Sequence, residues 1–228
     1  RLPVTAVAAI IQHNTSGIIS LKDSGITSPK GMEGHSYATW DMPIEQAIIK
    51  KVVTDDGGDY SKINLISTSV EDIKAALSSN IDSVWIYYAW DGIACELQGL
   101  DTNFFYFKDY SPELDDYSPV IIANNNFLKN NSEVAKKFMA ALSKGYDYAI
   151  ENPDDAAQIL VDANEGLDIE LCKKSQNWLA SQYKADADKW GVIDQKRWDA
   201  FYGWVYDNGL CEIDIPDGFG FSNDYLPE

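Results

Sequence analysis

The chain contains 228 residues with a formal net charge of -18, and 45% of the residues are hydrophobic. This length and composition predict a folded protein made of one large domain or two modest lobes. The excess of acidic residues, 36 against 18 basic ones, excludes nucleic acid and anionic membranes as partners, because charges of the same sign repel.

Short apolar runs alternate with amphipathic segments through the first half of the chain. Strands are predicted at residues 4–11, 17–21, 36–40, 63–66, 84–88 and 104–107. Helices are predicted to open at residues 41–43 and to span residues 70–77 and 89–97. This alternation indicates a parallel or mixed sheet covered by helices.

The second half of the chain is predicted to be mainly helical. Helices are expected at residues 134–142, from residue 152 onward, at residues 171–183 and at residues 197–208. This part contains four tryptophans, and packing in a core is the favoured role for most of them: Trp178, Trp190, Trp198 and Trp204. Residues 117–119 form a proline-bearing crossover between the α/β lobe and this helical tail.

Signatures of metal, nucleophilic and phosphate chemistry are missing from the sequence. The cysteines at positions 95, 172 and 211 lie far apart, and the two histidines, His13 and His35, have no partner at helical spacing. We therefore predict no metal and no cofactor. His13 lies near the hydroxyls of Thr15 and Ser16, but no orienting acid is evident nearby. This stretch is predicted to be a strand-to-loop corner at which a ligand is touched.

Aromatic residues at two predicted strand ends give the strongest functional signal. Trp40 stands directly before a helix for which Asp41 is the predicted N-cap, Pro43 the first-turn proline and Glu45 an acid at the positive end. Tyr88 and its neighbours end a second strand, in which Trp85 and Tyr87 alternate onto one face. Ligands of open α/β sheets bind beyond the carboxyl ends of strands, and aromatics with carboxylates suit a planar, amine-bearing heterocycle. Packing in the core is the alternative role for each ring.

Several stretches carry a resemblance to a known family. They are residues 25–34, 36–45, 85–93, 117–122, 145–153 and 183–186, with Trp178-Leu179. They resemble the periplasmic substrate-binding proteins of the NMT1/THI5-like family. Residues 36–45 and 85–93 are similar to its pyrimidine-binding members, of ThiY type.

The resemblance implies an α/β fold of the type II periplasmic-binding-protein kind, with two lobes joined by crossover strands. Residues 1–27 would be a remnant of lobe one with the first crossover, and residues 28–117 would form lobe two. Residues 118–228 would supply the return crossover and a helical part that packs on lobe one. Lobe one is expected to be incomplete, because the opening βαβ segments of the family have no counterpart here. Hinge strands are expected near residues 20–27 and 117–122.

The function that the resemblance implies is solute binding for an ABC importer, with no enzymatic activity. The protein would be a monomer in the periplasm or lipid-anchored outside the cell membrane. It would deliver a thiamin-precursor pyrimidine of the formylaminopyrimidine type to a permease and an ATPase, and hinge closure would favour the bound form.

Three alternatives remain open at this point. A binding protein of the same family for flavin, sulfonate or nitrate is one, although anions would want Arg or Lys where Asp41 and Glu45 stand. A THI5-like pyrimidine synthase is another; those enzymes carry a cysteine-rich motif and use a histidine with pyridoxal phosphate, and no cysteine cluster exists here. A carbohydrate-binding module would not explain the alternating α/β pattern.

Ten residues form the ligand site that the resemblance implies: Trp40, Asp41, Pro43, Glu45, Tyr88, Trp90, Glu96, Tyr117, His13 and Asn14. Trp40 would stack on the pyrimidine, and Tyr88 and Trp90 would supply a second wall. Glu96 would hydrogen-bond the exocyclic amine, with a solvated helix position as its alternative role. Tyr117 would contact the ligand from the crossover, and His13 and Asn14 would lie at the rim.

Overall fold

A computed structural model of the protein describes residues 2–228 and contains strands and helices in the alternation that the sequence predicts. The strands are β1 (Val4–Ala9), β2 (Ser16–Leu21), β3 (Ser36–Thr39), β4 (Asn64–Ser67), β5 (Ser83–Tyr87), β6 (Thr102–Tyr106) and β7 (Val120–Asn124). The helices are α1 (Pro43–Asp55), α2 (Ile73–Leu77), α3 (Ile93–Leu97), α4 (Asn125–Asn130), α5 (Ser132–Glu151), α6 (Pro153–Ala163), α7 (Ile169–Ala180) and α8 (Gln195–Asp207). None of the helices within residues 2–228 combines the length and the apolar composition needed to cross a bilayer.

The described residues form two compact units. The sheet unit contains Thr15–Asp115 and Gly203–Asp214. The helical unit contains the described residues up to Asn14, together with Asp116–Tyr202 and Ile215–Glu228. The chain therefore changes unit after Asn14, Asp115, Tyr202 and Asp214, whereas the sequence placed lobe boundaries at residues 27 and 117. The hinge strands and the assignment of lobes stay predictions.

The sheet unit is built on a mixed sheet of five strands in the order β4-β3-β5-β2-β6. β3 runs parallel to β4 and β5, whereas β2 runs antiparallel to β5 and β6. The strands β3, β4, β5 and β6 consequently end at one side of the sheet, where β2 begins. We call this side the carboxyl edge; it is marked by Thr39, Ser67, Tyr87, Tyr106 and Ser16.

One face of this sheet packs an apolar core. Val84 and Ile86 of β5 lie in that core with Ile19 of β2, while Trp85 and Tyr87 point to the opposite face. The alternation predicted for β5 is thus confirmed. The centre of the sheet is also tight, because a Cβ added to Gly17 of β2 would lie 2.0 Å from the Phe105 carbonyl oxygen. Only glycine fits at this point between β5 and β6.

The helical unit pairs β1 with β7 in an antiparallel ribbon and packs helices around it. Trp190 is central to its core: the indole is 1% exposed, stacks on Tyr146 at 4.1 Å and 14°, and donates its Nε1–H to the Ile10 carbonyl oxygen. Trp198 of this unit is buried as well, and so is Trp204, which lies in the Gly203–Asp214 segment of the sheet unit. The predicted packing role of the tail tryptophans is confirmed for these three residues.

Candidate functional site

The turn between β3 and α1 places Trp40 at the carboxyl edge. Asp41 follows in the left-handed region at φ 58°, a conformation uncommon for residues other than glycine, and its backbone N–H donates to Thr39 Oγ1 at 3.0 Å. The expectation that Asp41 caps α1 is wrong: Met42 occupies the N-cap position, without a side-chain cap. Asp41 lies one residue before the N-cap, because the turn between β3 and α1 contains an additional residue in the left-handed conformation. Pro43 does occupy the first turn, as predicted.

Glu45 is buried beneath this turn, with an exposed fraction of 1%. Its Oε1 accepts a hydrogen bond from the Tyr37 hydroxyl at 2.5 Å. Its Oε2 accepts from Thr39 Oγ1 at 3.0 Å and from the Trp40 backbone N–H at 3.1 Å. Burial and this carboxylate raise the pKa of Tyr37 well above its usual value. The carboxylate therefore has partners within the protein.

The indole of Trp40 packs against Trp85, which lies on the face of the sheet opposite to Val84 and Ile86. It is 46% exposed and lies against Trp85, with ring centroids 5.3 Å apart and planes tilted by 39°. Trp85 in turn meets Phe107 edge-on at 4.5 Å. The Trp85 Nε1–H is buried, and no residue among 2–228 accepts its hydrogen bond. A polar atom buried without a partner is unusual and marks this place as a candidate contact.

The end of β5 presents more aromatic rings at the same edge. The chain there makes a single π-helical turn, Tyr88–Gly92, which leads into α3. Tyr87 and Trp90 are each 43% exposed. Tyr88 packs against Phe104 at 5.1 Å, and its hydroxyl donates to the Glu96 carboxylate. Burial and the Glu96 carboxylate raise the pKa of Tyr88, so the phenol stays protonated and orients the acid.

Asp91 is a candidate that the sequence reasoning missed. It lies in the π-helical turn, where burial raises the pKa of its carboxyl group and a hydrogen bond with the Tyr87 backbone opposes this effect. The sequence could have identified Asp91 by its position, shortly after the end of a strand and between Trp90 and Gly92. Nearby Cys95 is buried, and burial followed by the charge of Asp91 raises the pKa of its thiol to about 11. A thiol that holds its proton in this way is a poor nucleophile.

His13, the first rim residue, lies in the helical unit within a polar cluster. Its Nε2 is 2.9 Å from Asp186 Oδ1, and Arg197 Nη1 is 3.4 Å from its Nδ1. Because a guanidinium only donates, Nδ1 accepts and Nε2 carries the proton given to Asp186. An orienting acid for His13 therefore exists after all, at a sequence separation of 173 residues.

Asn14 and Tyr117, the other predicted residues of the helical unit, contribute to the same cluster. Asn14 Nδ2 donates to Asp116 Oδ1 at 2.8 Å. The Tyr117 hydroxyl accepts the backbone N–H of Asp194 at 2.9 Å, and the Arg197 guanidinium lies 4.6 Å above the Tyr117 ring. These contacts hold the strand-to-loop corner after β1 in a fixed shape.

The predicted residues therefore fall into two sets. The first set lies at the carboxyl edge of the sheet unit and contains Trp40, Asp41, Pro43, Glu45, Tyr88, Trp90 and Glu96. The second set lies in the helical unit and contains His13, Asn14 and Tyr117. Contact of any of them with a ligand stays a prediction.

The chemistry of the carboxyl edge suits binding by stacking and hydrogen bonding. Trp40, Tyr87 and Trp90 expose flat rings, and Asp41, Asp91 and Glu96 supply acceptors. A cation is also present, since Lys108 Nζ lies 5.2 Å above the Tyr106 ring. Residues 2–228 contain no group of three or more side chains that could hold a metal ion.

The fold is that of periplasmic substrate-binding proteins. A solved structure of the periplasmic aliphatic sulphonate-binding protein SsuA from Escherichia coli matches with a TM-score of 0.69 and 14% identity. The match covers 91% of this chain and 65% of that chain. At this identity the likeness establishes the fold, and the predicted type II binding-protein fold is confirmed.

The chain belongs to the NMT1/THI5-like family, whose model matches residues 1–156. A formylaminopyrimidine-binding protein of Halalkalibacterium halodurans is 27% identical over 210 residues, covering 90% of this chain and 63% of that protein. The 4-amino-5-hydroxymethyl-2-methylpyrimidine phosphate synthase THI5 of Saccharomyces cerevisiae is 26% identical over 193 residues, covering 75% of this chain and 53% of the synthase. The chain thus spans between about half and two thirds of the length of these relatives.

Proposed function

We propose that this protein is an extracytoplasmic solute-binding protein that delivers a formylated aminopyrimidine precursor of thiamin to an ABC importer. The observation that carries the proposal is the pairing of exposed aromatic rings with carboxylates at the carboxyl edge of the sheet unit. Trp40 offers a half-exposed indole there, and the Tyr88–Glu96 pair offers an oriented acceptor. The permease and the ATPase of the importer are the proposed partners, and the binding protein acts as a monomer.

Stacking explains how the ring of a pyrimidine would be held. The Trp40 indole already rests on Trp85, so it has one covered face and one face available to a planar ligand. An aromatic pair of this kind contributes about 0.5–1.5 kcal/mol beyond the burial of apolar area. Because Trp85 packs against the indole and is itself held by Phe107, the ligand would meet a surface that needs little ordering.

Carboxylates explain the preference for an amine-bearing ligand. Glu96 has its carboxylate oriented by Tyr88, and Asp41 projects from the left-handed turn next to Trp40. A carboxylate accepts hydrogen bonds from an exocyclic amine, whereas it repels an anion such as a sulfonate. This set of acids therefore favours an amine-bearing ligand over a sulfonate, the ligand class of the solved structure that shares this fold.

The relatives support a pyrimidine ligand from two directions. The halodurans protein is named a formylaminopyrimidine-binding protein, and the synthases are named for an aminopyrimidine phosphate. The fold of periplasmic binding proteins supports a place outside the cytoplasm, in the periplasm or lipid-anchored on the outer face of the membrane.

Calorimetric titration of the full-length protein tests the ligand. We expect formylaminopyrimidine to bind with a dissociation constant of about 1 μM or tighter, equivalent to about 8 kcal/mol or more. Riboflavin, taurine and nitrate, titrated in the same buffer, should give no binding heat. Clear heat with one of these three and none with any pyrimidine would overturn the proposal.

The contribution of Trp40 is tested with a matched pair of variants. Trp40→Ala should weaken pyrimidine binding by about ten- to a hundredfold, because it removes the stacking surface. Phe138→Ala is the control, since it removes another exposed ring, on α5 of the helical unit. Equal affinities of Trp40→Ala and the parent would remove Trp40 from the site.

The pyrimidine phosphate synthases suggest the competing function. Incubation of the protein with pyridoxal phosphate, followed by mass spectrometry for a pyrimidine product, separates the two. We expect no product. Product formation above a denatured-protein control would favour the enzyme.

A further inference from the structure

We propose that Glu45 positions Trp40 through the backbone of the β3–α1 turn and does not itself bind the ligand. The inference rests on the proposed function, in which Trp40 stacks on the ligand. It changes the role expected for Glu45 from the sequence, where this acid was placed among the ligand contacts. The inference adds a residue that affects the affinity for the ligand without contacting it.

Both oxygens of the Glu45 carboxylate are already occupied. One accepts the Tyr37 hydroxyl at 2.5 Å, and the other accepts the Thr39 hydroxyl at 3.0 Å and the Trp40 backbone N–H at 3.1 Å. The side chain is 1% exposed, so a ligand at the carboxyl edge has no route to these oxygens. A buried carboxylate with this many donors is a fixed structural anchor.

The position of Glu45 in α1 explains why it reaches the turn. Met42 is the N-cap and Pro43 the first helical residue, so Glu45 is the third. A Glu at this position commonly reaches back to the backbone N–H of the N-cap, an arrangement known as the capping box. Here the carboxylate reaches two residues further, to Trp40, and so ties the end of β3 to the first turn of α1.

The same network fixes the conformation between Trp40 and the helix. The Thr39 hydroxyl donates to Glu45 and accepts the backbone N–H of Asp41, which is held at φ 58°. A left-handed aspartate persists only where its surroundings hold it. Glu45, Thr39 and the Asp41 backbone thus act together, and loss of the carboxylate would release the segment that carries the indole.

Hydrogen exchange of the Trp40 backbone amide in the ligand-free protein tests the anchor directly. Glu45→Gln should speed this exchange by about tenfold, because the amide loses its charged acceptor. Thr39→Val removes a single hydroxyl of the network and should give a smaller rise, of about threefold. Asp56→Asn is the matched control: Asp56 accepts from the Ser28 hydroxyl and the Lys30 backbone N–H elsewhere in the sheet unit, so its loss should leave Trp40 unchanged.

A double-mutant cycle connects the anchor to binding. Glu45→Gln should lower pyrimidine affinity by about tenfold when Trp40 is present, and by no more than about twofold in a Trp40→Ala background. The alanine variant keeps the backbone N–H, so only the indole differs. Thermal unfolding of each variant establishes whether it is folded. If Glu45→Gln does not fold, the same cycle is measured with Thr39→Val.

Two results would overturn the inference: an unchanged exchange rate at Trp40 in Glu45→Gln, or equal losses of affinity with and without the indole. The second would indicate that Glu45 binds the ligand or acts on another residue. Failure of the parent protein to bind any pyrimidine would overturn the proposed function instead. The exchange measurement needs no ligand, so it still decides the role of Glu45.

Discussion

Two regions of the molecule contain the same types of aromatic residue in different surroundings. One region is the carboxyl edge of the sheet unit, and the other is the core of the helical unit. At the edge, Trp40 and Trp90 keep 46% and 43% of their surfaces exposed. In the helical unit, Trp190 is 1% exposed, stacks on Tyr146 and satisfies its N–H on a backbone carbonyl. The edge residues follow strand ends, whereas Trp190 lies where the segment after α7 packs against β1. Place in the fold therefore distinguishes the proposed binding surface from the core, because the residue types are the same in both.

The largest expected difference between the two regions is in how much a tryptophan substitution lowers the free energy of unfolding. Trp190→Ala should lower the free energy of unfolding by about 3–5 kcal/mol, because it leaves a cavity and removes the hydrogen bond to Ile10. Trp40→Ala should lower it by less than about 1 kcal/mol, since its ring is half exposed. Urea denaturation followed by circular dichroism measures both. Similar losses would mean that Trp40 is core and that the carboxyl edge is no binding surface.

A smaller effect should distinguish two pairs in which a tyrosine hydroxyl donates to a carboxylate. Tyr88→Phe removes the hydroxyl that orients Glu96 at the edge, and Tyr148→Phe removes the one that donates to Asp155 on the helical unit at 2.5 Å. The first change should weaken pyrimidine binding by about tenfold, and the second should leave it unchanged. Calorimetry measures the pyrimidine affinity of both variants. An affinity of Tyr88→Phe equal to that of the parent would show that the hydroxyl of Tyr88 is not needed to orient Glu96.

The smallest effect expected is the contribution of one tyrosine of the helical core, Tyr183, to the loss of stability at alkaline pH. Burial, and next the neighbouring Tyr146, raise the pKa of Tyr183 to about 12, against 10.0 for an ordinary phenol. A raised pKa of this kind stabilises the fold fully below pH 10, and the contribution is lost as the pH rises toward 12. We expect a loss of about 1 kcal/mol by pH 11, detected by urea denaturation at several alkaline values. In Tyr183→Phe this loss should shrink, and an unchanged alkaline slope would contradict the assignment.

Much of the fold could be predicted because local patterns determine it. The alternation of β5 correctly placed Val84 and Trp85 on opposite faces of the strand. Pro43 and the acid two residues later correctly marked the start of α1. The order of strands in the mixed sheet could not be predicted, since it depends on pairings between distant segments such as β2 with β6.

The chemistry of the site was harder to predict than its location. Glu45 shows why: an acid in a first helical turn is usually solvated, and only the turn between β3 and α1 brings the hydroxyls of Tyr37 and Thr39, eight and six residues earlier, to its carboxylate. His13 shows the same limit, because its partner Asp186 lies near the other end of the chain. Sequence patterns reveal strand ends and helix starts, but a hydrogen-bond partner that arrives from a distant segment leaves no local signal.

The hydrogen bond between Glu45 and the backbone of Trp40 has a consequence for substitutions at position 40. The carboxylate holds the backbone N–H of residue 40, a group that every amino acid except proline possesses. The turn should therefore keep its shape whatever side chain stands at this position. A different ring at position 40 would then change the proposed ligand contact while the support beneath it is retained. For a designer, the same separation makes position 40 the natural place to vary selectivity without rebuilding the scaffold.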